Sequence, residues 1–446
     1  MPCGRHGDWS AGWSPVSGLA PVAAILIFVV AFVLLATEKV HRVAVVLGAA
    51  AVMTVLGLVP GEEVFYSRHA GIDWDVIFLL LGMMIIVGVV KQTGVFEYLA
   101  IRAAQHSRGR PYRLLVYLMA ITAVASPFVD NVTTIMLVAP VTIAVCRRLE
   151  IPAAPYLIAE ALAANIGGAA TLVGDPPNII IASRAGLTYN DFLIHMTPIV
   201  AILFVLFALM ARILFRRAFV YRPDRAAAVM ALDARAAIQD RGLLIRCMIV
   251  LGLITVAFTA HTVLHLAPSI VALLGAGLMV LVSGVQPSQY LAEVEWGTLV
   301  FFTGLFVLVG GLVHTDVIRN IGQWASGITD NHFLIATGLI YGSAILGAFF
   351  DNIPYAATMA PIVEDVVATV PDPSTGQALW WAFALGADLS GNGTAIAASA
   401  NVIVLGMAAR HGEPISFWQF TRYGIITTLV TTTISWLYIW LRYFAF

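Results

Sequence analysis

The chain has 446 residues, of which 60% are hydrophobic and 11% are charged, and its formal net charge is −1. Soluble domains carry about 25% charged residues, so this composition excludes an ordinary soluble fold. Apolar runs of roughly 17–25 residues, long enough to span a bilayer, recur along the whole length. The three cysteines lack the CxxC pairing that would indicate a disulfide framework or a zinc site. We therefore predict an all-α polytopic membrane protein.

The chain begins with residues 1–20, which we interpret as a disordered tail without a signal-peptide pattern. The apolar segments that follow lie near 21–37, 43–59, 74–91, 113–146, 153–185, 192–215, 243–262, 268–284, 296–312, 333–365, 378–409 and 417–443. The stretch 216–242 is rich in arginine, and under the positive-inside rule it is predicted to be a cytoplasmic linker.

Segment 113–146 is too long for one straight span, because a helix of this length would reach about 51 Å across a core of roughly 30 Å. Basic residues flank both of its ends, and its middle contains Ser126-Pro127 followed by Asp130-Asn131. A re-entrant hairpin with its tip near Asp130 accounts for the length, the charge and the proline together. Two short kinked spans are the alternative.

The hairpin makes no crossing, so five spans precede the linker and the N-terminus is predicted to lie outside. The first repeat is assigned to residues 21–215. The second repeat, residues 243–446, contains a hairpin at 333–365. Each half has an odd number of crossings, which predicts that the second half is inserted upside down.

The two halves align colinearly with an offset of about 222 residues, as expected for an internal repeat. The matched positions include Trp74 with Trp296, Gly82 with Gly304, Asp130-Asn131 with Asp351-Asn352, Pro140 with Pro361, and Gly168, Thr171 and Asn178 with Gly391, Thr394 and Asn401. Inverted repeats whose broken helices meet near the bilayer midplane are typical of secondary transporters, and a channel is the alternative.

Each repeat contains one segment that cannot be a continuous helix. Segment 153–185 holds three glycines and the Pro176-Pro177 pair, and its counterpart 378–409 holds Gly-Asn-Gly-Thr at 391–394. Unwound backbone at membrane depth is tolerated only where it is buried in protein or lines a cavity. A binding site is therefore predicted where the two breaks and the two hairpin tips converge, with half-helix ends that suit polar solutes and ions.

Polar residues in these segments are the candidates for the site, because charges inside a membrane are costly and usually functional. The predicted substrate- and ion-binding residues are Asp130, Asn131, Thr171, Asp175, Asn178, Asp351, Asn352, Asp388, Asn392, Thr394, Ser399 and Asn401. Helix capping is a second role open to Asp130, Asp351 and Asp175, and it does not exclude ion binding. Glu160 is either a proton relay or a buried neutral carboxyl.

The predicted site contains several carboxylates but no Arg or Lys. This balance favours a neutral hydroxylated solute, a cation or a proton over a multivalent anion, although helix N-termini alone can hold a carboxylate. No nucleophile–base or metal constellation is visible in the sequence, so neither an enzymatic activity nor a metal site is predicted.

The motifs Gly-Asp-Pro-Pro-Asn at 174–178, Asp-Asn at 130–131 and 351–352, and Gly-Asn-Gly-Thr at 391–394 resemble the ion transporter superfamily. The match is closest to its arsenite permease and P-protein branch, which is citrate-transporter-like, and it extends from residue 21 onward. The resemblance implies a homodimer with elevator-type alternating access. The early spans of each half would form a scaffold, and the hairpins and broken helices a mobile transport domain.

The dicarboxylate branch of the superfamily carries Ser-Asn-Thr at its hairpin tips, whereas this chain has Asp130-Asn131-Val132 and Asp351-Asn352-Ile353. This departure argues against citrate or succinate as the substrate. The resemblance instead implies proton-coupled efflux of arsenite or antimonite, as neutral trihydroxides, across the plasma membrane. Asp130 and Asp351 would be the principal proton or cation sites.

Three alternatives stay open: sodium–proton antiport, transport of another small ion or a dicarboxylate, and a P-protein-like anion channel. The expected partners are the lipid bilayer, a small inorganic solute and a second copy of the chain. An ATPase subunit is also compatible with the resemblance. No nucleic acid is expected, and no cofactor is expected beyond H⁺ or Na⁺ as the coupling ion.

Overall fold

A computed structural model of the protein describes residues 19–37, 39–67, 70–219, 221 and 223–445. Every regular element within these ranges is a helix, which confirms the predicted all-α class. Residues 1–18 of the predicted tail lie outside the described residues, and the first helix begins at Ala20.

The helices of the first half, together with the linker, are α1 (Ala20–Thr37), α2 (Arg42–Val55), α3 (Gly61–Tyr66), α4 (Trp74–Lys91), α5 (Val95–Ser107), α6 (Pro111–Val129), α7 (Asn131–Leu149), α8 (Ala154–Gly168), α9 (Pro176–Ala185), α10 (Tyr189–His195), α11 (Thr197–Leu214) and α12 (Pro223–Met230). Single 3₁₀ turns at Arg216–Ala218 and Ala234–Ala237 lie on either side of α12.

The helices of the second half are α13 (Arg241–Leu264), α14 (Pro268–Ser283), α15 (Pro287–Ala292), α16 (Trp296–His314), α17 (Val317–Ser326), α18 (His332–Phe350), α19 (Asn352–Ala368), α20 (Pro373–Ser390), α21 (Ser399–Arg410) and α22 (Phe417–Tyr443).

Eight of the described helices are long and apolar enough to cross a membrane, namely α4, α6, α7, α11, α13, α16, α18 and α22. Their outward faces are apolar as well: Ile213 on α11 is 71% exposed, and Val256 on α13 is 63% exposed. Apolar surfaces of this kind suit lipid and not water. The chain is therefore a multi-span membrane protein.

The described helices divide into two compact units, of which the smaller consists of Met1–Asp73 and Val300–Ile321. In this unit Gly304 of α16 lies against α2, and a Cβ added there would come within 2.9 Å of Val46 Cγ2. Gly310 lies still closer to the Ala70 backbone, and a Cβ added there would overlap the Ala70 carbonyl oxygen. Small residues at such positions let membrane helices approach closely.

The larger unit consists of Trp74–Leu299 and Gly322–Phe446 and contains both hairpins and both breaks. Gly82 of α4 lies against α14, where an added Cβ would come within 2.8 Å of the Ala272 carbonyl carbon. Gly82 is the residue that the sequence repeat matches with Gly304. The two glycines thus allow the same kind of close helix contact, each within its own unit.

Two pairs of helices in the larger unit are joined by a single residue. Asp130 alone connects α6 to α7, and Asp351 alone connects α18 to α19. The breaks lie at 169–175, between α8 and α9, and at 391–398, between α20 and α21. Beyond each break the chain packs on the other repeat, because α9 contacts α19 and α21 contacts α7 and α8. The re-entrant character of the hairpins and the opposite orientation of the repeats stay predictions.

Candidate functional site

The two hairpin tips have the same unusual backbone. Asp130 has a φ of 47° and Asp351 a φ of 70°, values that residues other than glycine rarely adopt and that aspartate tolerates better than most. The Asp130 carboxylate accepts hydrogen bonds from the Thr133 amide and hydroxyl, both at 2.8 Å. Asp351 accepts one from the Ile353 amide at 3.1 Å. Both aspartates therefore cap the second helix of their hairpin.

A threonine hydroxyl attaches each break to the hairpin of its own repeat. Thr171 Oγ1 donates to the Pro127 carbonyl at 2.6 Å, and Thr394 Oγ1 donates to the Ala348 carbonyl at the same distance. These carbonyls belong to the last turns of α6 and α18. The two hydroxyls therefore hold each break against its hairpin, and their contact with a solute stays a prediction.

An asparagine after each break closes the unwound loop. Asn178 Nδ2 donates to the Thr171 carbonyl at 3.0 Å, and Asn401 Nδ2 donates to the Thr394 carbonyl at 2.9 Å. Asn401 Nδ2 also reaches the Gly391 carbonyl at 2.7 Å. Free carbonyls in a helix break must find donors when they are buried, and these amides provide them in both repeats.

Glycine is required where the first break folds back on itself. A Cβ on Gly174 would lie 2.4 Å from the Gly168 carbonyl oxygen and 3.0 Å from Pro127 Cα. No side chain fits at that distance from backbone atoms. The glycines that indicated a broken helix in the sequence are thus needed for the close approach of the break to the hairpin.

Asn165, near the end of α8, is the centre of the site and was not among the predicted residues. Its Nδ2 lies 3.0 Å from Asn392 Oδ1 and 3.2 Å from Asn401 Oδ1, and its Oδ1 accepts from Asn131 Nδ2 at 3.1 Å. It therefore joins the first hairpin tip to the second break. One signal could have identified it, since the repeat alignment matches Asn165 with the candidate Asp388.

Two aspartates are buried at the centre of the site. Asp175 is 1% exposed and Asp388 is 0% exposed. Asp175 occupies the N-cap position of α9 without making a capping hydrogen bond, and its Oδ2 accepts from Asn352 Nδ2 at 3.4 Å. Asp175 also lies within electrostatic reach of Asp388, Asp351 and Asp130. The break and the tips thus bring four predicted carboxylates together.

Asp388 differs from the other aspartates because neither of its oxygens has a hydrogen-bond partner. The amide of Asn178 approaches the Asp388 carboxylate, but its Nδ2 donates its hydrogen bond to the Thr171 carbonyl at 3.0 Å, and its Oδ1 has no partner. A buried carboxylate without a well-formed hydrogen bond is strongly unfavourable unless a proton or a cation shares its site. This arrangement can therefore hold H⁺ or a small cation that binds oxygen.

The remaining predicted residues lie at the edge of this centre or apart from it. Asn392 binds Asn165 through Oδ1, and its Nδ2 has no partner. Ser399 is the first residue of α21. Glu160 is fully buried on α8, where its Oε1 accepts from Thr142 Oγ1 at 2.5 Å and its Oε2 is unpartnered. Within the described ranges no group of three or more His, Cys, Asp or Glu side chains could hold a metal ion.

The sequence is similar to those of known membrane proteins over nearly its whole length. Residues 32–386 match the model of the family described as citrate transporter. A 46 kDa membrane protein of Mycobacterium leprae is 53% identical, and the alignment covers 95% of this chain and 99% of that protein. An uncharacterized transporter of Mycobacterium tuberculosis is 54% identical with the same coverage. The human P protein is 32% identical over 94% of this chain and 59% of its own length.

Two solved transporters share the fold. The YdaH transporter of Alcanivorax borkumensis superimposes with a TM-score of 0.59 at 16% identity, over 96% of this chain and 99% of that chain. MtrF of Neisseria gonorrhoeae, described as illuminating a class of antimetabolite efflux pumps, superimposes with a TM-score of 0.61 at 10% identity, over 96% and 95%. The predicted superfamily and fold class are confirmed.

Proposed function

The chain belongs to the citrate transporter family, and from that premise we propose that it is a secondary transporter that exports arsenite or antimonite in exchange for protons. The solute would be carried as a neutral trihydroxide. The observation that carries this proposal is Asp388, a fully buried carboxyl without a partner in a site that has amides but no basic side chain.

Proton coupling is supported by the surroundings of Asp388. A buried carboxylate without a donor is strongly unfavourable, so the group takes up a proton or a cation when its site is closed. Asp175 lies close enough to add electrostatic repulsion. Two buried carboxylates that repel each other retain a proton more readily than one does. We propose that the pair Asp175–Asp388 binds the coupling proton.

The capping role of the hairpin tips changes the assignment that the sequence suggested. Asp130 and Asp351 already accept hydrogen bonds from the first turns of α7 and α19. Their charge is therefore compensated by backbone amides and by the positive end of a helix. We propose that they shape the tips and add negative potential, while Asp388 is the residue that changes its protonation during transport.

Amides are the groups available to a neutral solute with three hydroxyls. The tip residues Asn131 and Asn352 and the break residue Asn392 all point into the same cluster around Asn165 and Asp175. An amide can donate to one hydroxyl and accept from another, which suits such a molecule. We propose that these three side chains bind the solute, while Asn178 and Asn401 hold the two breaks in shape.

A multivalent anion such as citrate fits this site poorly. The basic residue that follows the first break, Arg184, is engaged with Glu364, with 3.7 Å between the charged atoms. A tricarboxylate would also meet Asp175 and Asp388 without a fixed cation to offset the repulsion. For this reason we do not propose citrate as the substrate, although the family is named after it.

Exchange of sodium for protons is a second candidate, and one observation favours it. Asn178 Oδ1 and the two Asp388 oxygens have no partners and are potential oxygen ligands, and the Thr171 carbonyl of the first break contacts the same Asn178 side chain. Oxygen atoms of this kind coordinate sodium in transporters with broken helices. In this reading Na⁺ and H⁺ compete for Asp388.

Glu160 lies about 7.5 Å along α8 from Asn165, between the start of that helix and the site. Its bond to Thr142 connects it to α7, and its free Oε2 is available for proton exchange. We propose that Glu160 relays protons between the cytoplasm and the site.

We also propose that the protein acts in the plasma membrane as a homodimer with elevator-type alternating access. An ATPase subunit is an optional partner.

Uptake of arsenite into everted membrane vesicles, with and without an imposed proton gradient, tests the proposed function. We expect accumulation that depends on the gradient and is lost when the gradient is collapsed. Sodium-dependent proton movement without arsenite accumulation would favour the second candidate. An arsenite-independent anion current would favour a channel and contradict both.

A further inference from the structure

Buried side-chain polar atoms without partners are concentrated on α20, on α22 and around Asp388 in the larger unit. Of the unpartnered atoms in the described residues, only Glu160 Oε2 lies elsewhere; the others are Trp381 Nε1, both Asp388 oxygens, Asn178 Oδ1, Asn392 Nδ2, Thr432 Oγ1 and Ser435 Oγ. They belong to α9, α20, α22 and the break at 391–398. Such atoms are nearly always satisfied by ordered water or by a ligand.

The hydroxyls of α22 differ in their hydrogen bonds. Thr427, Thr431 and Thr433 donate to carbonyls of their own helix, which is the usual arrangement for threonine in a membrane helix. Thr432 and Ser435 make no such bond, although both are almost completely buried. Their hydroxyls are therefore available to groups between the helices.

The two free hydroxyls lie on the face of α22 that contacts α20. Thr428 and Thr432 are one turn apart on the same face of α22, and Ser435 follows about one turn later. Thr428 Oγ1 donates to the Leu389 carbonyl of α20 at 3.3 Å, which fixes the inner end of this face. At the outer end, Tyr438 donates to the His195 carbonyl at 2.7 Å.

Aromatic residues with polar atoms surround the part of α20 that lies farther from the site. The ring of His195 stacks on Trp381, with 4.9 Å between the ring centroids, and the Tyr443 hydroxyl bonds to its Nδ1. Trp381 is seven residues before Asp388 on α20, a distance of about 10 Å along the helix. Because Leu389 meets Thr428 at one end, and Trp381 and Tyr438 both contact His195 at the other, Ser435 and Thr432 lie between the levels of Trp381 and Asp388.

The first repeat has no equivalent of these hydroxyls. Its last span, α11, contains no serine or threonine after Thr197, whereas α22 has six between residues 427 and 435. The repeat alignment matches Trp381 with the apolar Ile158. If hydroxyl side chains between these helices served only helix packing, they would be expected in both repeats.

We propose that the seam between α20 and α22 holds a file of water molecules that connects Asp388 with the membrane face at the 186–196 connection, and that protons reach Asp388 along it. Under the predicted orientation this face is the outer one. The inference rests on the proposed function, because it supplies the path for the coupling proton. Glu160 would serve the opposite side.

Hydroxyl-radical labelling by brief X-ray exposure tests the seam on the full-length protein in lipid nanodiscs, because it modifies side chains that contact bound water. We expect Trp381, only 1% exposed, to be oxidised several-fold faster than the equally buried Phe383 of the same helix, after correction for intrinsic reactivity. The double variant Thr432→Val/Ser435→Ala should reduce Trp381 labelling several-fold. Thr433→Val, which alters an exposed residue on the same helix, is the matched control and should not.

Proton-driven transport in vesicles is the second readout, and the double variant should slow it several-fold while Thr433→Val leaves it unchanged. The proposal is overturned if Trp381 is labelled no faster than Phe383. It is also overturned if the double variant labels or transports like the wild-type protein. Absence of proton dependence in the wild-type protein would instead contradict the proposed function, and the labelling would still decide whether the seam is hydrated.

Discussion

The carboxyl of Asp388 has no hydrogen-bond donor, whereas that of Asp130 is satisfied by the first turn of α7. Both residues were predicted for the site, and the sequence alone ranked the hairpin tips above Asp388. Burial and hydrogen bonding favour the order that we propose, with Asp388 first, because the charge of Asp130 is compensated by hydrogen bonds and that of Asp388 is not. The ranking could not be made from the sequence, which does not show which donors lie nearby.

Replacing Asp388 by Asn should reduce proton-driven solute accumulation to background, because the amide cannot exchange a proton. Asp372 at the start of the same helix is the control. Hydrogen bonds from Thr375 and then Ser374 lower the pKa of Asp372 to about 2, so it is a permanently ionised residue outside the site. Asp372→Asn should transport like the wild-type protein. Wild-type accumulation by the Asp388→Asn variant would refute the assignment of the coupling residue.

Asp130 allows the capping role to be separated from an ionic role. Asn caps helices about as well as Asp, whereas Ala loses about 0.5–2 kcal/mol of stability. Asp130→Asn should therefore keep most of the transport activity and the unfolding temperature, and Asp130→Ala should lower both. Thermal unfolding in detergent, measured beside transport in vesicles, gives both values. If Asp130→Asn lost transport while its unfolding temperature stayed unchanged, Asp130 would be an ion-binding residue and not only a helix cap.

Thr171 and Thr394 occupy matched positions and should respond alike to substitution. Each hydroxyl is bonded to a buried carbonyl of its hairpin, and loss of one partner leaves that carbonyl unsatisfied at a cost of about 1–3 kcal/mol. Thr171→Val and Thr394→Val should therefore lower the unfolding temperature by similar amounts. A loss of arsenite affinity without a loss of stability would show that these hydroxyls contact the solute after all.

At the scale of helices, the sequence predicted the irregular elements from their composition. Segment 113–146 was expected to turn near Asp130, and the structure divides it there into α6 and α7. Three glycines and a Pro-Pro pair indicated a break between 153 and 185, and the unwound part lies at 169–175. Proline and glycine directly weaken the backbone hydrogen bonding of a helix, so helix breaks can be predicted from the local sequence.

The packing role of Gly174 provides a prediction at this scale. Gly174→Ala would place a Cβ 2.4 Å from the Gly168 carbonyl oxygen and should destabilise the first break, with a lower unfolding temperature and reduced transport. Gly406 in α21 is the matched control, since an added Cβ meets nothing within 4 Å. Gly406→Ala should be neutral or stabilise by up to about 1 kcal/mol. Equal tolerance of both changes would contradict the close approach of break and hairpin.

At the scale of the whole molecule, contacts between the repeats could not be predicted from either repeat alone. Asn165 is one of several polar residues near the first break, and only the structure shows that it reaches Asn392 and Asn401 of the second. The repeat alignment matched Asn165 with the candidate Asp388, and this match could have identified Asn165 as a site residue. Symmetry thus identifies equivalent positions, and the contacts show that one holds an amide network and the other a free carboxyl.

Simultaneous recording of arsenite and proton fluxes, with the purified protein in liposomes, tests whether Asp388 couples arsenite to protons. For the wild-type protein we expect that arsenite moving one way drives protons the other way, and that a pH gradient alone drives arsenite uphill. Both fluxes should disappear together in Asp388→Asn. Arsenite movement that neither drives protons nor responds to a pH gradient would exclude proton-coupled export, and fluxes that persist in the variant would exclude Asp388 as the coupling residue.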